Sequence, residues 1–169
     1  MPTITGDKNI FMIEDYLTAI LNGDTLRNAL DYVAYLKKTG MSVETSDSNV
    51  FDIEIGSLSV YPVDGKPGWT LYLGNYDSAF LNGKCQNVPT DEKLKNFAWE
   101  HVKTCHNFKT NGGGCGCGSQ PGKKIMLFGK DFDNVCTFVL EITNPGGETL
   151  ELAKQLAHVW KQNEINKEK

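Results

Sequence analysis

Apolar residues at helical spacing open the chain. Over residues 9–21, Ile10, Ile13, Leu17 and Ile20 recur every three or four positions, which predicts an amphipathic helix. Asn22-Gly23 interrupts the pattern, and Asp24 is suited to cap a second helix. That helix carries Leu26, Leu30, Val33, Ala34 and Leu36 as its buried stripe and stops at Thr39-Gly40, where glycine supplies a left-handed cap. The period then changes to two. Val50, Asp52 and Glu54 alternate with Phe51, Ile53 and Ile55, as a half-buried strand requires. Gly56-Ser57 predicts a turn, residues 58–63 a second strand, 64–68 a loop and 69–73 a third strand. Connections this short cannot hold a helical crossover, so the strands form an antiparallel meander.

Thr90 or Asp91 caps the next helix, expected to reach about residue 104 with Leu94, Phe97, Ala98 and Val102 on its buried stripe. A glycine-rich loop follows, then strands over 124–128 and 136–142, with Asp131 and Asp133 as turn residues between them. Asn144-Pro145-Gly146-Gly147 ends the last strand. Residues 149–163 form a helix with Leu150, Ala153, Leu156, Ala157 and Trp160 on one face. Runs of strands with helices outside them give an α+β fold. Its antiparallel sheet (the meander plus a C-terminal strand pair) is packed by N-terminal helices, a middle helix and a C-terminal helix. No repeat or linker divides the chain, so residues 1–169 are read as one domain. It comprises a helical pair over about 9–40 and the sheet, glycine loop and last helix over about 48–164.

Composition narrows the function classes. With 40% hydrophobic and 22% charged residues the chain is globular in character, and a net charge of -4 gives no general attraction to nucleic acid or anionic lipid. No apolar run is long enough to span a bilayer, and the start lacks the pattern of a secretory signal. The expectation is a soluble, cytoplasmic protein with neither nucleic-acid nor membrane partners.

The cysteines change the picture most. Of five, all but Cys85 fall between Cys105 and Cys136, around the run Asn111-Gly-Gly-Gly-Cys115-Gly-Cys117-Gly. In a reducing compartment such clustering favours metal binding or redox work over structural disulfides. Cys105, Cys115, Cys117 and Cys136 supply the four soft ligands that close a tetrahedron around structural zinc. Glycines beside Cys115 and Cys117 let two close ligands turn back on one ion. Lys103, Lys109 and Lys123 can offset the thiolate charge, and His106 is a spare ligand beside Cys105. Cys85 is expected to be no ligand. Cys115-Gly116-Cys117 also reads, less well, as a redox dithiol, since no Cys-x-x-Cys opens a helix here.

The stretch from Phe97-Ala-Trp99 through the cysteine loop to Pro121-Gly122, Phe128-Gly129-Lys130, Phe132 and Asn134-Val135-Cys136 resembles a signature of small bacterial proteins of no established activity. It is followed in both by a Leu-rich last helix. Similar segments are attached to bacterial regulators, so the resemblance implies a sensing or ligand-binding role. It covers the C-terminal half.

Other chemistry is thin. His101, His158 and the pair Lys123-Lys124 read as exposed polar residues, and no catalytic residue is assigned. Trp69, Tyr72, Tyr76, Phe80 and Trp99 either line an apolar pocket or belong to the core. The reading is thus a zinc-stapled domain that binds a small molecule or a protein. Its alternative is a thiol-based redox or metal-dependent enzyme using the same loop.

Overall fold

A computed structural model describes residues 12–75, 91–105 and 122–165. Helices α1 (Ile13–Ile20) and α2 (Gly23–Lys38) come first, then strands β1 (Val43–Asp47), β2 (Val50–Ile53), β3 (Gly56–Val63) and β4 (Lys66–Asn75). Helix α3 (Glu92–Glu100), strands β5 (Val102–Thr104), β6 (Lys123–Leu127) and β7 (Lys130–Thr143), and helix α4 (Glu148–Ile165) follow. The fold is α+β, and among the described residues the strands form one seven-stranded antiparallel sheet in the order β1-β2-β3-β4-β7-β5, with β6 also on β7. Among the described residues no helix is long and apolar enough to cross a membrane.

Cross-strand register explains the core. Phe51, Leu58, Leu71 and Ile142 lie in one row across β2, β3, β4 and β7, and Val60 faces Trp69 beside it. Residues in register share a face of the pleat, so these rows form a continuous apolar surface. Onto it pack Tyr32, Val33 and Leu36 of α2 and Leu150, Ala153, Leu156, Ala157 and Trp160 of α4, all buried. The Tyr32 and Trp69 rings meet with centroids 5.9 Å apart.

Two hairpin turns are tighter than the sequence suggests. Asp64-Gly65 joins β3 to β4 and Phe128-Gly129 joins β6 to β7, each pair with two positive φ angles, the geometry that matches strand twist. The expected loop over 64–68 is therefore a two-residue turn. Asp131 and Asp133 lie within β7 rather than in a turn. β7 also begins six residues before Cys136, at Lys130.

Other boundaries move for local reasons. The described part of α1 begins at Ile13 after the extended Met12, while residues 9–11 lie outside the described residues. Its buried side is Ile13 and Leu17, continued by Leu21, and Ile20 is exposed. In α2 the capping position is Asn22 rather than Asp24, which instead pairs with Arg27 at 2.6 Å. Ala34 is exposed, and Ala29 and Tyr32 take its place in the buried stripe. Residues 54 and 55 make the turn before β3, which starts at Gly56. The end of α3 is the largest correction: it stops at Glu100, and Val102 to Thr104 join the sheet as β5 instead of continuing the helix.

Gly40, at φ 72°, takes the left-handed conformation expected at the end of α2. Lys161 of α4 reaches that end, donating from Nζ to the carbonyls of Gly40 at 2.8 Å and Thr39 at 3.1 Å. A cation there satisfies orphan carbonyls and opposes the negative end of the helix dipole. Lys161→Met is expected to cost about 1 kcal/mol, measured by urea unfolding. An unchanged midpoint would show that the contact contributes nothing.

Candidate functional site

Two of the four expected ligands, Cys105 and Cys136, are described, while Cys115, Cys117, Cys85, His106 and Lys109 lie outside the described residues. Cys105 follows β5, and Cys136 lies in the N-terminal half of β7, the strand that β5 pairs with. The ladder between them is irregular: Val102 pairs with Leu140, but Thr104 pairs with Val135. Residues 136–139 of β7 therefore stand opposite Lys103 alone on the β5 side, a break in the ladder on that edge. Both thiols are buried, at 1% and 3% exposure.

Asn134 fixes the geometry next to them. It adopts φ 59°, a left-handed conformation that asparagine tolerates better than most residues. Its backbone carbonyl accepts from Cys105 N at 2.7 Å, and its side-chain Nδ2 donates to Cys105 O at 2.9 Å. Its Oδ1 is buried with no hydrogen-bond partner among the described residues.

Gly122 closes the arrangement. A Cβ built there would lie 2.5 Å from Asn134 Oδ1 and 2.7 Å from Cys105 Cβ, so no side chain fits. The chain thus leaves this spot at Cys105 and returns to it at Gly122, so the two ends of the segment whose sequence carries Cys115 and Cys117 meet beside Asn134. Val135 pairs with Thr104 on one edge and with Lys123 on the other, which places β5 and β6 on either side of β7.

A polar network missed by sequence reasoning lies on β3, β4, β5 and β7. Lys103 Nζ is 3.0 Å from Glu141 Oε2 and 4.3 Å from the centre of the Tyr72 ring. Tyr72 Oη donates to Glu141 Oε1 at 3.4 Å and is 2.6 Å from Tyr61 Oη. Burial, then the bond to Tyr61 and the charge of Glu141, push the Tyr72 phenol well above its usual range. Lys103, expected to offset thiolate charge, is engaged by this carboxylate. The register Tyr72↔Glu141 is the signal that would have found the pair, but it requires knowing the strand pairing.

The remaining candidates are dispersed. Trp69 is fully buried beneath α2, and Tyr72, three residues along the same strand, faces the other side of the sheet. Trp99 donates Nε1 to Leu127 O at 2.9 Å, under Lys130 Nζ at 5.1 Å from its ring. These three aromatic residues do not form one pocket, and Tyr76 and Phe80 lie outside the described residues. His101 is half-buried rather than solvent-facing: it caps α3, with Nδ1 2.8 Å from Phe97 O and its ring 4.3 Å from the Phe97 ring. Lys123 and Lys124 are exposed at the start of β6, and Lys124 is 4.0 Å from Asp131.

Among the described residues no three His, Cys, Asp or Glu side chains are grouped to hold a metal, so a four-thiolate centre requires Cys115 and Cys117. Comparison with protein-family models, with curated proteins and with solved structures found no match.

Proposed function

We propose that Cys105, Cys115, Cys117 and Cys136 hold one structural zinc ion, and that the domain it staples binds a small molecule or a protein partner in a sensing role. One observation carries this reading. Two buried thiols stand at the junction of β5 and β7, and the loop bearing the other two cysteines departs from and returns to that junction. Buried thiolates are soft donors, and four of them complete the coordination of structural zinc. The tight seat of Gly122 against Cys105 gives the loop a fixed anchor, which a preformed ligand set needs. A closed four-thiolate shell leaves no open position for water, and so favours a structural over a catalytic metal. The likeness to small bacterial proteins that recur on regulators gives the sensing role its support.

Protein purified without chelator is expected to contain about one zinc per chain by elemental analysis. Removing it under reducing conditions should lower the melting temperature, because binding energy of the folded site is folding energy. Cys136→Ser should abolish the zinc, whereas Cys85→Ser should leave it unchanged. Reduced, metal-free protein that melts at the same temperature with and without added zinc would overturn the reading.

A further inference from the structure

A cleft of about 490 Å3 lies between α2, the start of α3 and α4, lined by Tyr35, Asp91, Leu94, Glu151, Lys154 and His158 among others. That volume suits a small organic ligand. Its floor is one stripe of α4, on which residues 151, 154, 155 and 158 recur at helical spacing. Lys154 is buried to 9% exposure, and its Nζ lies 2.8 Å from Asp31 Oδ2 and 2.8 Å from Glu151 Oε1. Asp91 gives one oxygen to Leu94 N at 2.8 Å, capping α3.

The charges do not balance. Asp31 and Glu151 both hold the ammonium of Lys154, and Asp91 and Glu151 line the cleft with it. Two carboxylates thus stand among the lining residues beside one lysine whose charge is already shared with Asp31 outside the lining. An ionised carboxylate has two oxygens and accepts at both. Among the described residues Glu151 and Asp91 each have one oxygen on a hydrogen-bond donor, and a carboxylate can accept at its second oxygen from a donor entering the cleft. Leu94, Val159 and the Tyr35 ring supply apolar wall beside these acceptors. A bare metal ion is a poorer fit, since no three ligating side chains are grouped among the described residues.

We infer that this cleft binds a small organic cation, an amine carried on an apolar body, with the ammonium on Glu151 and Asp91 and the body against Leu94, Val159 and Tyr35. The inference rests on the small-molecule side of the proposed role and locates it away from the thiol centre.

Two probes with one body and opposite charge test it: 2-phenylethylamine and 3-phenylpropionate, titrated into the full chain and followed by amide NMR shifts. The amine is expected to saturate with a dissociation constant of about a millimolar, normal for a fragment, and to shift residues 91–95 and 151–159. The carboxylate should bind at least about tenfold more weakly, because it meets like charge. Glu151→Gln, at an exposed position, should weaken the amine about fivefold. Lys154→Met, which removes the competing ammonium, should tighten it. Equal binding of both probes, shifts that map elsewhere, no saturation, or an unaffected Glu151→Gln variant would overturn the inference. Zinc content of the same samples separates the two readings: zinc-free protein that still binds the amine at 91–95 and 151–159 sinks the staple and leaves the cleft.

Discussion

Gly74→Ala is expected to destabilise the protein by about 3 kcal/mol, lowering the melting temperature by roughly 6–12 °C. Two effects combine. Gly74 sits at φ 72°, a conformation that costs a residue with a Cβ about 1–2 kcal/mol. Its new Cβ would also lie 2.5 Å from Trp160 Cζ2 and 2.7 Å from Cε2, within the indole that α4 presses onto the sheet. Trp160 is 1% exposed, so the ring has no open side into which to retreat. A double-mutant cycle with Trp160→Ala separates the terms, because alanine has no ring to meet the new Cβ. In that background Gly74→Ala should cost only the backbone term. If it costs the same in both backgrounds, packing against Trp160 is not the cause.

On the zinc reading proposed above, Gly122→Ala should lower zinc affinity by at least about tenfold, the scale of losses seen when the supports of metal ligands are removed. The methyl group would meet Asn134 at 2.5 Å and 2.6 Å, the latter at its backbone carbon, and Cys105 Cβ at 2.7 Å. Backbone must move, and with it the anchor of the loop that carries Cys115 and Cys117. Hydrogen exchange should show faster opening of β5, β6 and the first half of β7, while α1 and α2 keep their protection, since local openings have their own free energies. Protection lost uniformly would mean that the centre belongs to the folding core. Retained zinc and unchanged exchange would mean that the Cys105–Gly122 contact plays no part in holding the loop.

Much of the architecture was legible because period and punctuation agree. The stripe Leu150, Ala153, Leu156, Ala157, Trp160 and the meander of β2, β3 and β4 follow from spacing alone. What failed was decided by distant partners. Val102 fits the stripe of α3, but it pairs with Leu140 once β7 is present, so tertiary pairing overrides the local helical pattern. β1 has one apolar residue, Val43, and four exposed positions, so no alternation announces it. Phe128 at φ 49° is a turn residue of a kind that composition does not signal. At the thiol centre the sequence names the cysteines, but Asn134 and Gly122 are brought to Cys105 by the sheet, and no spacing reveals them. The cleft escaped for the same reason, as Asp31 and Lys154 meet from α2 and α4.

The length of β7 sets an order of assembly. It is the one described strand that pairs with β4, β5 and β6, and so joins the meander of residues 43–75 to the segments around 102–104 and 123–127. The meander can zip through neighbouring hairpins as soon as it is made, since its contacts are local. Its face bearing Leu58, Trp69 and Leu71 has no sheet edge to complete it until residues 130–143 arrive, and no α4 to cover it until later still. A growing chain therefore carries apolar surface through most of its synthesis, and closure waits on contacts of long sequence separation, which form slowly. Chains that stall before Lys130 are the species in which this protein would aggregate.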